Sequence, residues 1–471
     1  MLEVFEKNLN NRGKLDVLLE KRVYAMAQQD FTQGNIMKQL VAFSTPIMFS
    51  NLLQASSQFI NSLWVGNLLG ANALGAITVS GTVIFTVLSF VIGINNATLT
   101  ILSQQKGVNN QDGLKSYLNA FVVILTLLAL VLGAAGFLFS EPILVMLNTP
   151  AVMVKEATSY LQINFIGILF LFGYNFIGTI LRALGDSKTP LMFVLIAVLL
   201  NAVLDPVFIS IFGLGMEGTA YATILSQCIA FLVGIYLIIR RKLVPFGIPS
   251  VPKSEEVLLI LKLGIPSGLQ MTVISAGVMA LMSVVNSYGE NVVAGFGAAQ
   301  RIDSIIMLPA SALGTAVNSM AGQNIGAGQW ARVYRIALYG VLYNLFIMLI
   351  LAVLIVLLAK YGISLFIQQE DALRFGTEYL KIIAFFYPFL GLNFILNGIV
   401  RASGAMFQVL VLNIISFWVL RYPLTYVFSN MMGEKGIAFG MGTSFVISSV
   451  FAYLYYKFGK WNKQKLFEAK E

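Results

Sequence analysis

Long apolar runs separated by short polar stretches recur along almost the whole chain. A spanning helix takes about 20 mostly apolar residues, and twelve such runs can be placed, centred near Phe49, Phe85, Leu128, Leu169, Val198, Phe231, Val273, Ile305, Leu349, Phe389, Ile415 and Val450. The pattern predicts an all-α polytopic membrane protein with twelve transmembrane helices.

The runs repeat. At a shift of 219 residues Gly70 falls on Gly289, Asn72 on Asn291, Gln104 on Gln323, Gly107 on Gly326, Tyr160 on Tyr379, and Arg182, Ala183 and Gly185 on Arg401, Ala402 and Gly404. Pro46 meets Pro266 with one residue of slip, and Gly218 and Ala220 meet Gly436 and Ala438 after the opposite slip. One shift held over so much chain implies two homologous halves. Each half has an even number of spans, so both enter the membrane in the same direction, as parallel six-helix repeats. The expected division is a polar extension over 1–30, a first lobe over 31–241, a crossover linker over 242–256 rich in Pro and basic residues, a second lobe over 257–458 and a basic tail over 459–471.

Composition agrees: 58% of the 471 residues are apolar and 11% charged, about half the charged share of a soluble domain. The net charge of +9 is spread between the apolar runs rather than gathered in one patch, which argues against a nucleic-acid partner. With the N-terminus placed in the cytoplasm, 22 of the 30 Lys and Arg fall on the inner side, so the positive-inside rule predicts that both termini are cytoplasmic. There is no His and a single Cys, Cys228. Those two facts count against a membrane enzyme working through imidazole and exclude a disulfide framework or a Cys-based metal site within one chain.

Ionisable residues inside apolar runs are costly and point to function. Asp205 lies in the run Asn201-Ala202-Val203-Leu204-Asp205-Pro206. Residues four apart stack on one helix face, so Asn201 and Asp205 can turn several oxygens to one point, a candidate cation pocket. Pro206 has no N–H and frees the Ala202 carbonyl. The structural alternative is that Asp205 is neutral and merely bonds Asn201. Arg301 and Asp303, two apart in the eighth run, point to different faces and are read first as helix anchors, second as transport residues. Pro46 and Pro266 are expected to bend the first helix of each half, as Pro206 bends the fifth. Gln104 with Gly107, and Gln323 with Gly326, are read as turn and packing positions.

Asp30-Phe31-Thr32-Gln33-Gly34, Trp64-Val65-Gly66-Asn67, Arg182-Ala183-Leu184-Gly185-Asp186-Ser187-Lys188-Thr189-Pro190 and the Asn201 to Pro206 run, followed by Gly215 to Thr223, resemble bacterial multidrug and toxic compound extrusion (MATE) transporters. The resemblance runs from about Asp30 to Lys457. It implies a V-shaped pair of lobes in the bacterial inner membrane. It also implies antiport: organic cations or amphiphilic drugs leave the cell in exchange for Na⁺ or H⁺. No other cofactor is implied, Na⁺ at Asp205 would be the only metal, and a monomer is expected. Carried over by residue, the cation site takes in Asn201, Asp205 and Thr223. Asn61 stands where many relatives have an Asp, and Gln270 where relatives with a second-lobe site have an acid, which favours the first lobe for coupling. The alternatives are a flippase for a lipid-linked precursor, or a membrane scaffold or receptor that does not transport.

Overall fold

The computed structural model describes residues 28–247, 249–464 and 466–467. Most of the expected extension over 1–30 and part of the tail over 459–471 therefore lie outside the described residues. The first half comprises α1 (Ile36–Leu68), α2 (Ala71–Gly107), α3 (Gln111–Met146), a bent α4 (Ala151–Ile166 and Ile168–Ala183), α5 (Lys188–Pro206, running on through a π turn Val207–Ile211) and α6 (Gly215–Arg240). The second half comprises α7 (Ser254–Asn286), α8 (Glu290–Gly326), α9 (Trp330–Ser364), a bent α10 (Glu370–Ala384 and Tyr387–Ala402), α11 (Met406–Ile414, a π turn Ile415–Arg421, and Tyr422–Met432) and α12 (Lys435–Phe458).

By length and apolar content eleven of these qualify as membrane spans when each bent pair counts as one. The twelfth, α1, is 33 residues long but carries Ser50, Asn51, Gln54, Ser56, Ser57, Gln58 and Asn61 through its middle, which dilutes its apolar character. Large apolar side chains stay exposed at helical spacing, as with Leu127, Leu130 and Val131 on α3 and Leu349, Val353 and Leu357 on α9. In a water-soluble protein such stripes would drive association; on helices long and apolar enough to span a membrane they suit a face turned to lipid.

The helix starts follow local chemistry. Asn35 and Asn110 cap α1 and α3, their side-chain oxygens accepting from the N–H groups of Lys38 (2.9 Å) and Gly113 (3.0 Å). Asp186 does the same for α5, accepting from the N–H groups of Lys188 and Thr189, each at 3.0 Å, and from the Thr189 hydroxyl at 2.5 Å. Burial pushes the Asp186 carboxyl above its ordinary range, while those hydrogen bonds pull the other way.

Neither sharp break falls at Pro46, Pro206 or Pro266, although the one in α10 is followed at once by Pro388. The two parts of α4 meet at 52° around Gly167, and those of α10 at 54° before Tyr387, positions related by the repeat. Pro46 and Pro266 lie inside unbroken α1 and α7. Each of these helices changes partners along its length. The first part of α1, with Leu40, Phe43 and Ile47, packs into a core built from α8, α9 and α10 of the other half, whereas Val65 near its end packs with α2, α4 and α6 of its own. Reciprocally, Ile260 and Leu263 of α7 join the core of the first half, and Leu281 and Val285 the second.

The four cores thus divide the molecule. Two, on the side of the described termini and the crossover, span both halves; two, on the far side, are each confined to one half. The lobes are joined at one end and separate at the other, which is the V. The join is paired by the repeat. Gln104 Nε2 donates to the Ala402 carbonyl (2.6 Å) and Gln323 Nε2 to that of Ala183 (2.9 Å). Thr100 Oγ1 donates to the Arg401 carbonyl (3.2 Å) and Ser319 Oγ to that of Arg182 (2.7 Å). Gly107 lies against the backbone of Gln323 and Gly326 against that of Gln104, with no room for a Cβ at either place. The packing role expected for these glutamines and glycines is thus a latch between lobes.

Candidate ion-binding site

In the far half of the first lobe α5 lies beside α1 and α6. The one-turn spacing puts Asn201 and Asp205 on the buried face of α5, both nearly inaccessible, and Asn201 Nδ2 donates to Asp205 Oδ1 at 3.3 Å. The same nitrogen is 3.4 Å from Thr223 Oγ1 of α6. From α1, the Asn61 amide, turned so that its nitrogen faces the oxygens around it, donates to Asn201 Oδ1 and Asp205 Oδ2, each at 2.6 Å. The four residues expected at the site, Asn61, Asn201, Asp205 and Thr223, are therefore brought together from three helices.

A fifth was missed. Ser57 Oγ donates to Asn201 Oδ1 at 3.3 Å; it lies one turn before Asn61 on the same face, a signal readable only once Asn61 is placed in the site. The cluster offers a carboxylate, two amide oxygens and two hydroxyls, the oxygen donors a hard monovalent cation takes. Pro206 ends the regular part of α5 just below it, and the wide turn Val207–Ile211 absorbs the missing N–H. Asp186 fixes the opposite end of the same helix, so the carboxylate sits on a rigid element.

The second-tier residues separate. Arg301 is exposed and lies 5.5 Å over the ring of Phe366. Asp303, two residues on, is buried and accepts from the hydroxyls of Tyr379 (3.1 Å) and Tyr387 and from Gln300 Nε2 (3.4 Å). They face apart, as the spacing predicts. Gln270 of α7 lines a cavity of about 270 Å³ in the second lobe together with Asp303. Arg421 also lines that cavity; no sequence spacing marks it there, because the residues it meets come from distant helices.

The MatE family profile matches residues 46–207 and 266–427, once in each half. Over 445 residues the chain is 64% identical to the probable multidrug resistance protein YpnP of Bacillus subtilis, covering 94% of this chain and 100% of that one. It is 30% identical to YoeA of the same organism, also a probable multidrug resistance protein, over 94% and 97% of the two chains. Among solved structures, a multidrug resistance MATE transporter in an outward-facing conformation superposes with a TM-score of 0.87 at 23% identity, over 92% of this chain and 98% of that one. A MATE protein in the straight conformation does so with the same score at 22% identity. With the profile found in both halves and near relatives matched almost end to end, the chain belongs to the MATE family of bacterial multi-pass membrane transporters and is not an enzyme.

Proposed function

We propose that the protein is a secondary antiporter that exports organic cations or amphiphilic drugs in exchange for inflowing Na⁺ or H⁺, with the ion held at Asp205 and Asn201. The observation that carries this reading is the convergence of Asn61, Asn201, Thr223 and Ser57 on one buried carboxylate. A charge inside a span is costly, and no other element of the first lobe explains why Asp205 is there. The latched end, with the crossover and the described termini, is the cytoplasmic side on the basis of its Lys and Arg; the V then opens outward. Alternating access follows if the latch opens as the far halves close. An ion can drive that change only by binding one state better than the other. One monovalent cation entering down 100 mV supplies about 2.3 kcal/mol.

Everted membrane vesicles carrying the protein should accumulate a cationic dye when a Na⁺ or H⁺ gradient is imposed. Accumulation that ignores both gradients would refute the proposal. A flippase for lipid-linked precursors has no comparable feature in its favour.

The replacement of the expected acid by Asn61 gives a further prediction. Asn61→Asp sets a second carboxylate in hydrogen-bond contact with Asp205, and two carboxylates that close must share a proton or a cation. Export should become more steeply dependent on the driving ion, with a shifted ion preference. Dye efflux measured against stepped Na⁺ and pH reads this, and an unchanged ion profile would show that position 61 does not face the ion.

A further inference from the structure

The second lobe has a polar centre of its own, and its charge runs the other way. Its cavity is lined from α7, α8, α10, α11 and α12 by one carboxylate, Asp303, against two guanidiniums, Arg401 and Arg421. The Asp303 oxygens are taken up by Tyr379, Tyr387 and Gln300. Among the described residues neither guanidinium lies within 4.0 Å of a carboxylate.

Arg421 is buried at the end of the π turn of α11, with Phe417 on one side, 3.8 Å from its Cζ, and Phe445 at 4.7 Å. The rings hold the guanidinium by cation–π contact and leave its edge free. Nε makes one long hydrogen bond, 3.4 Å to Ser444 Oγ, so most of its five N–H donors are uncommitted. Arg401 donates from Nε to the Asn397 carbonyl at 3.3 Å, and Asn397 Oδ1 has no partner. The repeat sharpens the contrast: at a shift of 219 residues Arg421 corresponds to Ala202, in the α5 run that carries Asn201 and Asp205. Arg401 has its counterpart in Arg182, so Arg421 is the cation that the second lobe adds.

We propose that this second-lobe cavity binds an amphiphile carrying a carboxylate, with Arg421 and Arg401 receiving the anion and the surrounding apolar and aromatic side chains receiving the body of the molecule. A guanidinium held flat with a free edge matches the two oxygens of a carboxylate, and a cavity near 270 Å³ admits a compact ring system. The site adds a ligand class to the organic cations of the export reading and stands on its own geometry.

The test uses the full chain in nanodiscs, without an ion gradient, and two fluorescent probes with one ring system: diethylaminocoumarin carboxylate and its uncharged ethyl ester. Anisotropy titration should show the carboxylate binding at least about tenfold tighter than the ester. Arg421→Gln should lower the carboxylate's affinity to that of the ester and leave the ester's unchanged, whereas Arg421→Lys should retain part of the preference. Equal affinities in the parent, no saturable binding of the carboxylate, or an Arg421→Gln protein that keeps the preference would each overturn the proposal. Each variant is checked for monodisperse elution; if Arg421→Gln does not fold, Arg401→Gln decides, with at least about a threefold fall in the ratio required. Asp205→Asn should keep the preference, so a failure of ion coupling and a failure of this site give different results.

Discussion

Asp205→Asn is expected to lower ion-driven export by on the order of a hundredfold, the upper part of the range over which one site ordinarily biases another, while insertion and folding survive. The substitution keeps size and one acceptor oxygen. The Asn61 amide, which points its nitrogen at both Asp205 Oδ2 and Asn201 Oδ1, can turn and offer its oxygen to the new amide at the cost of its bond to Asn201, so the charge and one neutral hydrogen bond are lost. A charge removed from the interior of a span leaves no desolvation penalty behind. Asp303→Asn should retain more activity, because Asp303 is tied to two tyrosines in the other lobe. The comparison is made on dye efflux at matched protein levels. Near-parental efflux with unchanged ion dependence from Asp205→Asn would move the coupling site elsewhere, with Asp303 next in line.

The second large effect belongs to the latch. At Gly326 a side chain would run into the backbone of Gln104 on the facing helix, and backbone cannot step aside as a side chain can. Overpacking of this kind costs about 1–3 kcal/mol, and it is charged only to the state in which the latch is closed. Two transport states commonly differ by a few kcal/mol, so Gly326→Val should move most molecules out of the conformation described above. Cys228 is the only cysteine; once it is replaced, spin labels at Thr149→Cys and Gln368→Cys, in the far-side loops after α3 and α9, report the opening of the V. The parent should show a long distance and Gly326→Val a shorter one. A folded variant with the parental distance distribution would mean that this contact does not hold the lobes.

The residues that were legible in the sequence share one property: their partners lie close by along the chain or in a repeat copy. Asn201 and Asp205 are one helical turn apart, so their pairing needs only the helix. The two halves are written twice, so the parallel order of twelve helices follows from the shift of 219 residues. What was not legible depends on contacts across long stretches of chain. Gln323 reaches Ala183 from 140 residues away and Gln104 reaches Ala402 from 298; periodicity gives these residues a position but not a partner. The second-lobe cavity draws Asp303, Tyr387 and Arg421 from three helices, with Tyr379 bonded to Asp303, and no spacing among them marks a common site. The break at Gly167 was hidden for another reason, whereas Pro388 stands beside its counterpart in α10. A proline announces a missing N–H, whereas a bend set by packing against neighbouring helices leaves no single-residue mark.

The central claim is that an ion at Asp205 is exchanged for substrate, and it is tested most directly by following both at once in proteoliposomes with no ion gradient imposed. A gradient of cationic dye alone should then drive Na⁺ or H⁺ the opposite way, read with a sodium- or pH-sensitive indicator in the lumen, and Asp205→Asn should abolish that movement. Dye crossing with no ion countermovement in the parent, or countermovement that persists in Asp205→Asn, would contradict the account.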